Sequence, residues 1–149
     1  MIVGKGPQEK RLHRMTRKLR LNKKVIFAGQ VPHSETPHYA AAADLFVFPS
    51  TSETQGLVLI EAMAAGTPAV AVEAPAQANL LAKGGGVLVR ADEDAFADAV
   101  VELLQDTPRR RTMGEQAAQT AQRYSIPSAT ARLIAVYEEA VEAGPRIEK

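Results

Sequence analysis

Short apolar segments alternate along the chain with longer segments that carry apolar residues at helical spacing. The short segments are rich in β-forming residues and predict strands at residues 2–4, 25–28, 45–49, 68–72 and 87–89. Helical spacing, capping residues and helix-ending glycines predict helices at residues 8–20, 57–65, 78–82 and 92–104, a short one after Ser34, and two that start near Pro108 and Ser128. This alternation with short connections is typical of a doubly wound (Rossmann-like) α/β domain, a mostly parallel sheet with helices on both faces.

The same pattern predicts which side chains are buried. Residues 45–49 are apolar without interruption, which is typical of a strand covered on both faces, and residues 2–4 resemble the end of another buried strand. In the helix over residues 92–104 we expect the inward side chains to be Phe96, Val100, Leu103 and Leu104. We expect the last helix to use an apolar face made of Leu133, Ile134, Val136, Tyr137 and Val141.

Length and composition limit the classes of protein that fit. The chain has 149 residues, of which 46% are hydrophobic and 23% charged, enough for one core and too few for two ordinary domains. We therefore expect a single domain over residues 1–149, in which residues 125–149 form a terminal helix and tail. The absence of cysteine excludes a disulfide scaffold, an iron–sulfur site and a cysteine-based zinc site. The three histidines show no spacing typical of a metal site.

No segment predicts a membrane span. The longest weakly charged run, residues 56–72, carries Glu61 and is interrupted by Gly66-Thr67-Pro68, so it predicts a helix, a turn and a strand. The N-terminus lacks an apolar stretch of signal-peptide length before its charges. We expect a soluble, cytoplasmic protein.

Charge is unevenly distributed along the chain. Residues 1–24 hold nine Lys or Arg and one acidic residue, a net charge of +8, and the remaining residues carry −7. The first helix is basic, and three interpretations follow: a solvated outer face, which we favour, attraction to anionic lipid at the inner membrane face, or nucleic-acid binding. The last lacks interleaved aromatic residues and a nucleic-acid-binding motif, so we expect no nucleic-acid partner.

The chemically informative segment joins the strand at residues 45–49 to the helix at residues 57–65. Gly56 stands at the start of this helix, where unpaired N–H groups and a partial positive charge suit a phosphate, and where a missing side chain allows close approach. Glu61 lies just over one turn further, and its Cα–Cβ bond tilts back toward the same end. Glu53 lies in the preceding loop.

Two carboxylates beside an anion site indicate a ligand that carries hydroxyl groups as well as phosphate. A nucleotide sugar is such a ligand, because its diphosphate is flanked by two polyols and carboxylates accept hydrogen bonds from hydroxyls. The alternative for Glu61 is a solvated helix acid, although it is the only charge between Glu53 and Glu73. The alternative for Glu53 is an acid that complements the helix dipole.

The pair Glu53 and Glu61, followed by Ala62-Met63-Ala64-Ala65-Gly66-Thr67-Pro68, resembles the signature of the group 1, glycogen-synthase-like family of retaining glycosyltransferases. Further segments resemble the family in the same order, at residues 2–7, 25–32, 39–50 and 86–89 and in the terminal helices. The resemblance therefore covers about the whole chain. It implies the nucleotide-sugar-binding, C-terminal half of a glycosyltransferase-B fold, incomplete on its N-terminal side.

The resemblance also implies roles for individual residues. Glu61 would hold the ribose, and Glu53 would be the catalytic residue that contacts the donor sugar. The backbone of Gly56 and Leu57 would meet the distal phosphate. The residues beside the base would be Gln30 and Val31. The family transfers a hexose from a nucleotide-diphosphate sugar with retention, without a cofactor and without a metal bound by the protein.

The sequence departs from the family pattern in several places. The acceptor-binding N-terminal domain is absent, as is the stretch whose Arg and Lys clamp the diphosphate. Residues 73–78 replace a glycine-rich turn followed by an acid, and Tyr124-Ser125-Ile126 stands where a Trp is common. We therefore expect a chain that is inactive alone and requires an N-terminal domain or a partner chain. The alternative is a stand-alone, non-catalytic nucleotide-binding or interaction domain with the same fold.

Overall fold

The structure, a computed structural model, describes residues 1–144, and the chain divides into two compact units. The first unit comprises Met1–Thr36 and the second begins at Pro37. The single domain over residues 1–149 stays a prediction. The end of the expected tail, residues 145–149, lies outside the described residues.

The first unit is a small βαβ arrangement. Strand β1 (Ile2–Val3) pairs in parallel with β2 (Phe27–Gly29), and helix α1 (Glu9–Lys18) connects them. A 3₁₀ turn, His33–Glu35, follows β2. The expectation of a buried first strand is wrong, because Ile2 and Val3 are 39% and 36% exposed. β1 contributes two residues to a two-stranded sheet and so has no second neighbour there to cover it.

The second unit is built on a three-stranded parallel sheet in the order β3-β4-β5. Its strands are β3 (Phe46–Phe48), β4 (Ala69–Val72) and β5 (Gly86–Val89). Its helices are α2 (Thr36–Ala41, which begins at the boundary of the units), α3 (Leu57–Ala64), α4 (Pro75–Leu81), α5 (Glu93–Gln105), α6 (Thr107–Gln122) and α7 (Ile126–Ala143). None of the helices among residues 1–144 is both long and apolar enough to span a bilayer.

The core of the second unit is organised around β4, the central strand. All four of its residues are buried, so both faces of the sheet are covered there. Ala69 and Ala71 point to one face, where the buried cluster also contains Leu59, Met63, Leu80, Leu81, Ala117 and Ala121 from α3, α4 and α6. Val70 and Val72 point to the other face, and α5 packs on β4 and β5. The predicted doubly wound α/β fold is confirmed.

Two burial predictions in this unit are wrong. Val47, in the middle of β3, is 47% exposed; it lies beside Val70 on the face where α5 packs on β4 and β5. In α5, Leu103 is buried as expected, but Leu104 is 45% exposed. One residue corresponds to about 100° on a helix, so Leu104 points away from the direction in which Leu103 is buried.

Helix α7 has a different environment from the other long helices. Ser125 caps its start, with its side chain accepting a hydrogen bond from the Ser128 N–H, and Arg132 Nη1 donates to the Arg123 carbonyl at 2.7 Å. The expected apolar face forms, but within the described residues it is not covered. At least half of each side chain's surface is exposed for Leu133, Ile134, Val136, Tyr137 and Val141.

Candidate functional site

The start of α3 presents a set of backbone donors. Gly56 precedes it in a left-handed conformation (φ 68°, ψ 34°), and its carbonyl accepts the Ile60 N–H at 3.0 Å. No side chain of the described residues caps this helix end. Leu57 and Val58, in the first turn, are 57% and 48% exposed. The first turn of α3 is therefore exposed at Leu57 and Val58, and its uncapped N–H groups lie at the positive end of the helix dipole.

Gly56 is required at this position for two structural reasons. Its positive φ is strained for a residue with a Cβ, and an added Cβ would lie 2.7 Å from Leu80 Cδ1. The residue is buried, so the space of the missing side chain is filled by α4. The sequence indicates only that a ligand approaches the backbone of Gly56 closely. The structure adds that Leu80 packs against this glycine.

Both candidate carboxylates lie close to this helix start. Glu53 is half-buried, and its Cγ lies 4.0 Å from the position that a Cβ on Gly56 would occupy. Glu61 is also half-buried and is followed in α3 by the core residues Ala62 and Met63. Its backbone position places its Cα–Cβ bond toward the start of α3. Glu61 is therefore neither a fully solvated acid nor one sealed in the core.

Gln30 and Val31 belong to the first unit. They directly follow β2, whose last residue, Gly29, has φ 71° and accepts the Gly4 N–H at 2.7 Å. Gln30 is exposed and Val31 is half-buried. Both stand where β2 ends at its carboxyl side, where ligands bind in doubly wound folds. Their expected place beside the base stays a prediction.

One residue of the site was missed in the sequence. Gln77 of α4 is fully buried, and its Nε2 donates a hydrogen bond to the Ser50 carbonyl at 2.8 Å. Ser50 begins the loop that carries Glu53 and ends at Gly56, so residues 50–56 form what we call the donor loop. A signal was present in the sequence: residues 75–81 hold two amides, Gln77 and Asn79, and Gln77 is three positions before the apolar Leu80, on the same helix face.

Comparison with known families gives a match over most of the chain. The family model described as "Glycosyl transferases group 1" matches residues 1–120. The chain is 40% identical over 109 residues to an alpha-monoglucosyldiacylglycerol synthase of Streptococcus pneumoniae, which covers 72% of the chain and 24% of that protein. It is 37% identical over 131 residues to a D-inositol 3-phosphate glycosyltransferase of Corynebacterium aurimucosum, covering 87% of the chain and 31% of the relative.

A third relative matches nearly the whole chain. A phosphatidyl-myo-inositol mannosyltransferase of Mycobacterium leprae is 31% identical over 151 residues, covering 99% of the chain and 40% of that protein. The chain thus spans less than half the length of these three relatives.

Solved structures share the fold. A sucrose-phosphate synthase from Thermosynechococcus elongatus matches with a TM-score of 0.82 and 30% identity, over 95% of the chain and 38% of the other protein. HepE of Anabaena, solved in complex with UDP, matches with a TM-score of 0.81 and 26% identity, over 93% and 40%. In both cases the matching part is less than half of the larger protein.

Proposed function

Because the chain belongs to the group 1 glycosyltransferase family, we propose that it is the donor-binding part of a retaining glycosyltransferase that moves a hexose from a nucleotide-diphosphate sugar to an acceptor. Its fold is that of the C-terminal half of a glycosyltransferase-B enzyme. The observation that carries the proposal is the accessible start of α3, which no side chain caps, with Glu53 beside Gly56 and Glu61 one turn further.

The proposed donor pose follows from the chemistry of these groups. The diphosphate accepts hydrogen bonds from the N–H groups of Gly56 and Leu57 and lies at the positive end of the α3 dipole. Glu61 accepts hydrogen bonds from the ribose hydroxyls, and Glu53 from those of the sugar.

In the transfer step, the bond between the anomeric carbon and the diphosphate oxygen breaks, and its electron pair leaves with the diphosphate. The α3 N–H groups stabilise this growing negative charge because they are already oriented toward it. Glu53 orients the sugar, and its carboxylate favours positive charge at the anomeric carbon. The acceptor oxygen forms the new bond on the same face of the sugar, and its proton passes to the departing diphosphate oxygen.

The acceptor part of the enzyme belongs to a different segment or chain in this proposal. The three relatives described above are longer than this chain by a factor of more than two. An N-terminal domain or a partner chain would provide the site that binds the acceptor. The 149 residues alone bind nucleotide sugar weakly and transfer none. Detectable sugar transfer by the purified chain alone would contradict this.

The test is a titration of the chain with UDP-glucose, GDP-mannose and ADP-glucose, followed by amide chemical shifts, which register weak binding. We expect one of them to shift the Gly56 and Leu57 amides, and Glu61→Ala to weaken that binding by about tenfold, which corresponds to the loss of charge-assisted hydrogen bonds. Glu115→Ala is the matched control, because Glu115 is an exposed acid on α6. Equal effects of the two substitutions would refute the role of Glu61. Absence of binding to all three sugars, even with an N-terminal half added, would favour the non-catalytic alternative.

A finer proposal concerns the membrane. Helix α1 exposes five cationic side chains, those of Lys10, Arg11, Arg14, Arg17 and Lys18. Two of the relatives are named for glycerolipid or phosphatidylinositol chemistry, so the acceptor of this protein would also be a lipid. We therefore expect the chain to float with vesicles that contain anionic lipid, to be released from them by salt, and not to float with neutral vesicles. Equal flotation with neutral vesicles, or none with either, would contradict this.

A further inference from the structure

Helix α4 holds the donor loop at both ends. At the start of the loop, Gln77 Nε2 donates to the Ser50 carbonyl at 2.8 Å. At the end of the loop, Leu80 Cδ1 fills the space beside Gly56. Gln77 and Leu80 are three residues apart, so they lie on the same face of α4, and both are buried, at 0% and 4% exposure.

The Ser50 carbonyl needs a partner from outside the sheet. The pairing of β3 with β4 ends at Phe48 opposite Ala71, two residues before Ser50. The strand therefore no longer offers a ladder hydrogen bond where the chain turns into the loop. Gln77 supplies the donor at this point and ties the loop to α4.

Packing alone does not account for a glutamine at this position. Its Oε1 is buried, and among the described residues it has no hydrogen-bond partner. An unmet buried acceptor destabilises a protein, and an apolar side chain of similar length would fill the same space without that penalty. The amide is favoured over an apolar side chain only through its Nε2, which reaches Ser50.

We propose that Gln77 is a positioning residue that keeps the donor loop in register with the start of α3. It contacts no ligand, because both its polar atoms are enclosed by the protein. It acts through Ser50, so that Glu53 and the first N–H groups of α3 are directed at one donor molecule. The identity of that donor rests on the proposed function, whereas the constraint on the loop does not.

The first test is amide hydrogen exchange in three variants of the chain. Gln77→Met removes the hydrogen bond and keeps the length of the side chain, and Gln77→Asn keeps the amide but shortens its reach. The matched control is Thr67→Val, because Thr67 is also buried and its Oγ1 donates to the Ala40 carbonyl at 2.7 Å, across the same 27-residue separation. Thr67 precedes β4 at the amino ends of the parallel strands, whereas the donor loop follows the carboxyl end of β3.

We expect Gln77→Met to speed exchange of the Ile60 amide, which donates to the Gly56 carbonyl at the end of the donor loop, by about tenfold beyond any change in the β4 amides, since a lost buried hydrogen bond has about that effect on local opening. Thr67→Val should change the loop by less than about twofold relative to β4. Gln77→Asn, whose shorter amide falls short of the Ser50 carbonyl, should also speed exchange of the Ile60 amide. If exchange at the end of the donor loop rises only as much as exchange in β4 in both Gln77 variants, as expected for Thr67→Val, the proposal is overturned.

A second measurement connects the loop to the ligand. UDP-glucose, GDP-mannose and ADP-glucose are titrated against the same variants, and the affinity of whichever binds the wild type is compared. We expect Gln77→Met to weaken it by about three- to tenfold and Thr67→Val to leave it unchanged, in the range of a lost orienting contact. If the wild type binds none of them, the proposed function fails, and the loop exchange alone decides the role of Gln77.

Discussion

Helices α3 and α5 both begin where a strand of the second unit ends, but their first turns are closed in different ways. At α5, Asp92 Oδ1 accepts the Ala95 N–H at 2.8 Å, so a side chain of the protein satisfies one of the free donors. At α3, Gly56 stands in the same place and provides no cap. The two helix starts therefore differ although both follow strands of one sheet. In the proposed site, the open donors of α3 bind the diphosphate, and Glu53 and Glu61, before and after Gly56, bind the hydroxyls of the ligand.

The largest effect is expected from placing a side chain at the start of α3. Gly56→Ala adds a Cβ 2.7 Å from Leu80 Cδ1 and in a left-handed conformation, so we expect a loss of about 2–3 kcal/mol in the free energy of unfolding, measured with urea. Gly6→Ala is the control, because nothing lies within 4 Å of its added Cβ and its φ is ordinary. A loss below about 0.5 kcal/mol for Gly56→Ala would show that the loop relaxes easily.

The next effect concerns the carboxylate on α3. Glu61→Gln keeps the shape and removes the charge, so we expect affinity for the nucleotide sugar to fall by about tenfold. Titration followed by amide shifts measures this affinity. An unchanged affinity would mean that the half-buried Glu61 does not hold the ribose.

The capped helix provides the converse experiment. Asp92→Ala removes the α5 cap, and we expect about 1 kcal/mol of destabilisation, as for other lost caps, without any change in nucleotide-sugar affinity. Thermal and urea unfolding check the stability. A loss of affinity in this variant would place α5 in the donor site and remove the distinction between the two helices.

A small change in stability is expected from adding a carboxylate to the first turn of α3, and it tests the proposed anion site most directly. Val58, in the first turn of α3, is 48% exposed, and Val58→Asp introduces a negative charge at the positive helix end. We expect a stabilisation of about 0.3–0.5 kcal/mol together with weaker binding of the diphosphate, because the new carboxylate competes for the same N–H groups. Stability and affinity that change in the same direction would contradict an anion site at this turn.

Local features of the chain could be predicted where they depend on neighbouring residues. The helix expected at residues 57–65 is found at Leu57–Ala64, and Gly66, expected to follow it, has a φ of 79°. The helix expected at residues 78–82 begins earlier, at Pro75, because proline is well suited to a first helical turn. Glu53 and Gly56 could be assigned to one region because only two residues separate them.

The missed features depend on residues that are distant in the sequence. The contact of Gln77 with Ser50 spans 27 residues, and no local pattern specifies which carbonyl a buried amide will meet. The space beside Gly56 is filled by Leu80 of another helix. Apolar spacing in α7 predicts an apolar face but not whether another segment covers it. In the described residues Tyr137 and Val141 of this face are exposed.

By itself, then, the sequence determined the order of strands and helices, the family and the position of the carboxylates around a glycine at a helix start. These properties follow from short-range periodicity and from motifs whose residues lie within one or two turns of each other. Only the tertiary structure decided that α4 supports both ends of the donor loop, that β3 is an edge strand and that Gly56 is enclosed by packing. Those properties arise when segments far apart in the chain compete for the same limited core volume and the same backbone hydrogen-bond partners.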